Sequence, residues 1–288
     1  MAVKFFGQFL VEQGIITSDA LLNAIILQDK KNLKLGEMAV TMGLISAADI
    51  ERAHHAQMSR DMKLGDLLVE MGFLTLVQLN DILIRQKNTH LYIGEALVQV
   101  GALTAGQLQN HLDAFKADQA PYVTNGIELP TVIGTNKLWE MTADLTYKMI
   151  TRVLDLKFHP GVCTTTPVIA PNFMLAAMDF SGDVDARYLL SVSKGVQKTI
   201  AKAILNEASV DAEPLEILED TVMEFVNIVC GNVAARASQM GIILNINPPV
   251  ALHPPSEGML VPVGCTALSF PIHIEDGDTM ELLLVIQN

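Results

Sequence analysis

Cysteine is scarce in this 288-residue chain: Cys163, Cys230 and Cys265 lie far apart and form no CxxC pair. That spacing indicates neither a disulfide framework nor a zinc site, and reads as small buried hydrophobes in a reducing compartment. Basic residues are also few, 19 Lys and Arg against 32 Asp and Glu, for a formal net charge of −13. A nucleic-acid binder needs a basic footprint to displace counterions, so that partner class is excluded. No apolar run reaches the roughly 20 residues that cross a bilayer, so no membrane insertion is expected. The start, MAVKFFGQFLVEQG, is broken by Lys4, Gln8 and Glu12 and lacks a signal-peptide core. The expected location is cytoplasmic. Metal-ligand spacing is missing too: His54 and His55 are adjacent and the other histidines stand alone. No metal site is expected.

Apolar residues make up 50% of the chain, and its length suits two domains of ordinary size. The acidity is uneven. Residues 1–120 hold 10 basic and 13 acidic groups, and the remainder holds 9 and 19. The second part should therefore attract a locally basic face on a partner.

Four segments recur at a spacing of 29 residues: FFGQFLVEQGIIT, KLGEMAVTMGLIS, KLGDLLVEMGFLT and YIGEALVQVGALT. Their first glycines are Gly7, Gly36, Gly65 and Gly94, and their second are Gly14, Gly43, Gly72 and Gly101. Thr17, Ser46, Thr75 and Thr104 follow, then Leu21, Ile50, Leu79 and Leu108. Gln28, Gln57 and Gln86 close three units, with Phe115 in that place in the fourth. The spacing predicts a short helix ended by a left-handed glycine, then a second helix capped by the hydroxyl. Asp49, Gln78 and Gln107 stand where they would complete capping boxes. Each such helix–turn–helix cannot bury its apolar face alone, so neighbours must stack, which predicts an all-α domain over residues 1–117.

The repeats resemble the MshEN-like N-terminal domain of type II secretion and type IV pilus ATPases, whose unit reads RLGxxLVxxGxIxxxxLxxALxxQ. Lys34–Gln57 and Lys63–Gln86 are two such units, separated by Met58–Met62. Several members of that family bind cyclic di-GMP through the leading arginine and the backbone near the first glycine. The resemblance makes Lys34, Leu35, Gly36, Lys63, Leu64 and Gly65 candidate nucleotide contacts. The arginine positions hold Phe5, Lys34, Lys63 and Tyr92, however, and lysine lacks the planar fork that grips a guanine edge. A packing or docking module is expected, with cyclic di-GMP binding as the alternative.

A turn-rich linker is expected over 118–135, where Pro121, Gly126, Pro130 and Gly134 break the periodicity. The second domain should span 136–288. It reads as a helix over 136–154, strands near 162–170, 173–180 and 185–193, and a helix near 195–207. A long helix opened by Pro214 in its first turn follows, then strands near 242–252, 259–271 and 279–286. That order makes an α+β or mixed α/β domain around one principal sheet.

In the long helix, DTVMEFVNIVCGN, the residues Asp220, Glu224, Asn227 and Gly231 share one narrow stripe. Leu218, Val222, Phe225, Val226, Val229 and Val233 lie on the other side, enough to bury the helix against a sheet. A rigid carboxylate and carboxamide suit positioning a water or a partner's ammonium group. Polar stripes are usually only the wet face of a helix. Gly231 would also serve close helix–sheet packing, and Pro248-Pro249 in LNINPPV would also serve as a strand-edge device.

Asp220, Glu224 and Asn227, with Gly231, the downstream Pro248-Pro249 and the element order, resemble the CheC–CheX–FliY family of chemotaxis phosphatases. The resemblance covers about Asn136 to Asn288. CheC-type members carry the signature on two helices, but LWEMTADLTYK has Glu140 with Ala143 where asparagine should stand, so CheX is the closer relative. It implies a homodimer and, as substrate, the aspartyl phosphate of a CheY-like response regulator. It also implies roles: Asn227 holds the attacking water, Glu224 pairs with the receiver's lysine, and Asp220 supports them. Magnesium would belong to the receiver, and this chain would need no cofactor. The other function the sequence allows is a non-catalytic adaptor in motility, pilus or secretion control, which docks a receiver or a motility component while the repeats sense a ligand such as cyclic di-GMP.

Overall fold

A computed structural model describes residues 4–120, 127–130, 136–275 and 277–288. The chain divides into two units, Met1–Pro121 and Tyr122–Asn288. The expected linker lies largely outside the described residues. Its first two residues belong to a helix.

The first unit alternates short and long helices: α1 (Phe6–Glu12), α2 (Ser18–Lys31), α3 (Leu35–Thr41), α4 (Ala47–Met58), α5 (Leu64–Glu70), α6 (Leu76–Thr89), α7 (Ile93–Gln99) and α8 (Ala105–Gln119). Every short helix ends alike. Gly72, for example, has φ of 73°; its N–H donates to Val69 O at 3.0 Å, and Phe73 N–H donates to Leu68 O at 2.9 Å. These two bonds satisfy carbonyls the helix end would leave open, in a Schellman turn repeated at Gly14, Gly43 and Gly101. Thr17, Ser46, Thr75 and Thr104 then cap the long helices. Asp49, Gln78 and Gln107 reciprocate by accepting from the cap N–H. The Ser46 hydrogen bonds, aided by Arg52, hold the Asp49 carboxyl down at about 2.

The first glycines have a different reason. A Cβ at Gly7, Gly36, Gly65 or Gly94 would come within 2.4, 3.0, 2.6 or 2.5 Å of Leu21, Ile50, Leu79 or Leu108. The missing side chain lets the long helix of each unit close on its short one.

The units pair in twos rather than in a single chain-order stack. The first packs with the fourth, α2 on α7 and α1 on α8, and the second with the third, α4 on α5 and α3 on α6. Leu10, Ile16 and Ala24 share one core with Leu91, Leu97 and Leu103; Met38, Ala39 and Ala53 share another with Leu68, Leu74 and Ile82. The closing glutamines supply the physical reason. Gln28 Nε2 donates to Leu91 O, Gln57 to Met62 O and Gln86 to Leu33 O, each meeting the carbonyl that precedes its partner's short helix. The fourth bond is made from Gln119, one turn beyond Phe115, whose Oε1 accepts from Lys4 N–H at 2.9 Å. Phe115 instead packs against Phe6 and Phe9. Reciprocal bonds of this kind join units in twos.

The second unit holds α9 (Asn136–Val153), β1 (Phe158–Pro160), β2 (Thr164–Thr166), β3 (Val168–Ile169), β4 (Met174–Gly182), β5 (Ala186–Val192), α10 (Lys194–Leu205), α11 (Leu215–Gln239), β6 (Leu244–Ile246), β7 (Val250–Leu252), β8 (Met259–Leu260), β9 (Cys265–Ile274) and β10 (Thr279–Gln287). The sheet runs β1-β9-β10-β5-β4-β6, with β2 also on β9 and β7 also on β4; β3 and β8 form a separate ribbon. All described pairings are antiparallel, which makes the unit α+β. The strand expected over 259–271 is broken between Leu260 and Cys265, where Pro262 removes a donor and Gly264 takes φ of 84°. Strand β1 was not foreseen. Pro214 stands at the N-cap of α11, with extended backbone, not in its first turn.

Helix α11 lies against the sheet and α9, burying Val222, Phe225, Val226, Val229 and Val233 completely. At about 1.5–3 kcal/mol for each such side chain, this face contributes on the order of 10 kcal/mol before ordering entropy is charged against it. The helix axis and rotation are thereby fixed, and with them the direction of its polar stripe.

Candidate functional site

Fixed in that way, α11 presents Asp220, Glu224 and Asn227 to solvent. All three line one open cleft of about 510 Å³ together with Met223, Ile246, Asn247, Pro248 and Pro249. Asn227 Nδ2 donates to Glu224 Oε2 at 3.5 Å, the long limit of a hydrogen bond. This contact orients the carboxamide without consuming it. Its Oδ1 is turned to the acceptor role, as one oxygen of Glu224 already faces the nitrogen.

The far wall is built by an interruption in the sheet edge. Strand β4 pairs Phe180 with Ile246 and Ala177 with Val250. Two residues of β4 therefore face three of the edge strand, Asn247, Pro248 and Pro249, which is a β-bulge. Asn247 N–H donates to Asp179 O at 3.2 Å, and neither proline has an N–H to offer. The prolines are thus an edge device and a cleft wall at once. Glu219 of α11 reaches His253, just past β7, at 3.1 Å and ties the two walls together.

Gly231 lies one turn beyond Asn227. A Cβ there would meet nothing within 4 Å, so close helix–sheet packing does not explain this glycine. The space is open. Sequence reasoning missed Met223, Ile246 and Asn247 as cleft residues. Met223 is a neighbour of the stripe and was within reach; the others enter through β-sheet pairing that no spacing along the chain announces.

Helix α9 offers no second site of this kind, because Ala143 is fully buried in the core. Cys230 is buried as well, and burial pushes its thiol well above its ordinary range; partly buried Cys163 is pushed up to about 12. Neither is an activated nucleophile. Among the described residues no three His, Cys, Asp or Glu side chains converge as a metal site. No described helix is long and apolar enough to cross a membrane.

In the first unit, Lys34 and Lys63 stand exposed at the N-caps of α3 and α5. Leu35 and Leu64 turn into the shared core, and Gly36 and Gly65 are buried beneath Ile50 and Leu79. Glu37 accepts from Lys34 N–H at 2.8 Å, which sets a carboxylate at the start of α3.

Residues 174–273 match the family model described as chemotaxis phosphatase CheX. This region is a CheX family domain. It contains β4, α11 and the bulge, and so every residue of the cleft. Solved structures resemble about half of the chain. A chemotaxis protein CheX from Desulfovibrio desulfuricans is 14% identical over 52% of this chain and 99% of its own, with a TM-score of 0.47. The CheX–CheY–BeF3–Mg complex from Borrelia burgdorferi gives 19%, 52%, 98% and 0.46. FliY of Thermotoga maritima gives 17%, 55%, 92% and 0.41. No curated protein matches the sequence.

Proposed function

We propose that the second unit is a phosphatase that hydrolyses the aspartyl phosphate of a CheY-like response regulator. One observation carries this reading: Asp220, Glu224 and Asn227 open onto a single cleft walled by Pro248-Pro249, inside the region that matches a chemotaxis phosphatase family. Asn227 holds a water in line with the phosphorus; the water oxygen bonds to phosphorus as the acyl-phosphate P–O bond breaks. The products are inorganic phosphate and the receiver's free carboxylate. A neutral carboxamide suits the task, since it offers donor and acceptor at any working pH. Glu224 takes the receiver's lysine, and Asp220 extends the acidic face toward other basic groups on the partner. Magnesium is carried by the receiver. Such a site works by positioning and charge, as phosphoryl transfer with a loose transition state requires.

Asn227→Ala tests this. The expected result is a loss of about 100-fold or more in receiver dephosphorylation, the scale of removing one positioned polar group. Stability should stay within about 0.5 kcal/mol, because the side chain is exposed. Equal rates for variant and wild type across a panel of CheY-like receivers would sink the reading and leave a non-catalytic adaptor.

The repeats act in this reading as a protein-docking module. Leu76, Val77, Leu83 and Ile84 stand 65, 70, 43 and 58% exposed on α6, which supports a protein partner. Glu37 and the buried glycines weigh against cyclic di-GMP. Titration calorimetry of the whole chain with cyclic di-GMP should show no saturable heat at micromolar concentration.

A further inference from the structure

The cleft has two walls of unlike chemistry. Helix α11 supplies carboxylates, Asp220 and Glu224, beside the Asn227 carboxamide. Across from them the wall is nearly without hydrogen-bond donors. Pro248 and Pro249 carry no N–H, and the N–H of Asn247 is already spent on Asp179 O. The Asn247 side chain is the exception: exposed, lining the cleft, and able to donate and accept together.

Its mounting is rigid. Asn247 follows β6, is pinned by its own backbone hydrogen bond, and precedes two residues whose φ is fixed by their rings. A β-bulge re-aims a side chain that regular pairing would send elsewhere, and bulges gather beside functional sites for that reason. A carboxamide held so firmly loses little entropy when a partner meets it.

We infer that Asn247 is a recognition residue of the cleft, hydrogen-bonding a main-chain peptide group of the docked receiver beside its phosphorylated aspartate. The pairing follows from the chemistry. A peptide presents one donor and one acceptor, the complement of a carboxamide, whereas an ammonium group is better served by the opposite wall. The inference rests on the phosphatase reading and adds a division of labour to it: α11 performs the chemistry and the bulge sets affinity.

The test separates binding from turnover. CheY-like receivers loaded with beryllium fluoride and magnesium give Kd, and the same receivers phosphorylated give kcat and KM. Asn247→Ala should weaken Kd and raise KM about 10-fold with kcat unchanged, since binding shared by ground and transition states is what it removes. Asn247→Asp keeps the shape but loses the donors, and should weaken Kd at least as much. Both variants should melt with wild type, because β6 and β7 pair through backbone groups. Unchanged Kd in both variants, or a fall in kcat, overturns the inference while leaving the phosphatase reading to Asn227. A wild-type protein that binds no receiver on the panel overturns both.

Discussion

The recurring polar residues of the repeats and the polar stripe of α11 are treated in opposite ways. In the repeats, the capping and closing side chains are turned back onto the chain itself. Thr75 and Gln78 cap a helix for each other, and Gln28, Gln57, Gln86 and Gln119 each meet a backbone group of a paired unit. In the stripe, Asp220, Glu224 and Asn227 are held in register by a rigid helix and exposed, and among the described residues their one side-chain hydrogen bond is the long contact, 3.5 Å, from Asn227 to Glu224. The glycines follow the same division. Gly65 is filled by Leu79 of its own unit, and Gly231 by nothing. A polar or small residue whose needs are met within the chain is explained by folding. One that is positioned with equal care and left open to solvent is what the proposed docking of a receiver would use.

The pairing of the repeats is where that comparison is most open to attack, and where the effects are largest. Leu10→Ala and Leu97→Ala each remove a fully buried side chain from the core shared by units one and four. Each should cost about 2–5 kcal/mol by urea unfolding. Made together they should depart from additivity by at least about 0.5 kcal/mol, since they empty one core. Leu10→Ala with Ile82→Ala should instead add within about 0.5 kcal/mol, because Ile82 belongs to the other core. Strong coupling of Leu10 to Ile82, with none to Leu97, would overturn the pairing of units one and four.

What could be read from the sequence divides along the same line. Chemistry that acts within a few residues was legible. The left-handed glycines, the hydroxyl caps and the reciprocal acids and amides sit where a 29-residue spacing placed them, since each satisfies a group three to five residues away. The polar stripe of α11 was legible for a like reason, a helix imposing its own period. Partners chosen at long range were not. Nothing in the spacing says that Gln28 would meet Leu91 rather than a carbonyl of the next unit. Nor does it say that one turn of α8 would pass the fourth bond from Phe115 to Gln119. The cleft shows the same limit. Its helix wall was visible in DTVMEFVN, while Asn247 and Ile246 became neighbours of Asn227 only through the register of β6 on β4.

A single substitution made in both units sharpens the contrast. Gly72→Ala places a Cβ on a left-handed backbone with φ of 73°, where no neighbour is in the way and only the conformation objects. It should cost about 1–2 kcal/mol. Gly231→Ala places the same Cβ in the middle of a helix, again in open space. It should stabilise by about 0.5–1 kcal/mol. Opposite shifts in denaturant midpoint are the expected result. If the proposed receiver docks on this stripe, the variant at 231 should also bind it less tightly despite its greater stability, because the added methyl enters the open space beside Asn227. A Gly231→Ala protein that is destabilised would show that the glycine is structural, like those of the repeats.

The smallest effect concerns pH and tests whether long-range pairing governs the second unit's titration as it governs its cleft. His159 on β1 lies directly opposite His273 on β9. Burial lowers both pKa values from the ordinary 6.5, and the charge of His273 lowers that of His159 further. A lowered value means that the unfolded chain binds protons more readily than the folded one. Stability from this pair is therefore complete above about pH 6.5 and is lost as pH falls through the unfolded value toward the folded ones. His54 of the first unit is shifted the same way, by burial and by Lys34, so wild type should lose stability on acidification through both units. Replacing His159 and His273 together by Gln removes one contribution and leaves the other. Thermal melts from pH 7.5 to 5.5 should then show a shallower fall in Tm for the double variant than for wild type. A fall just as steep would show that the facing histidines of β1 and β9 carry no proton linkage.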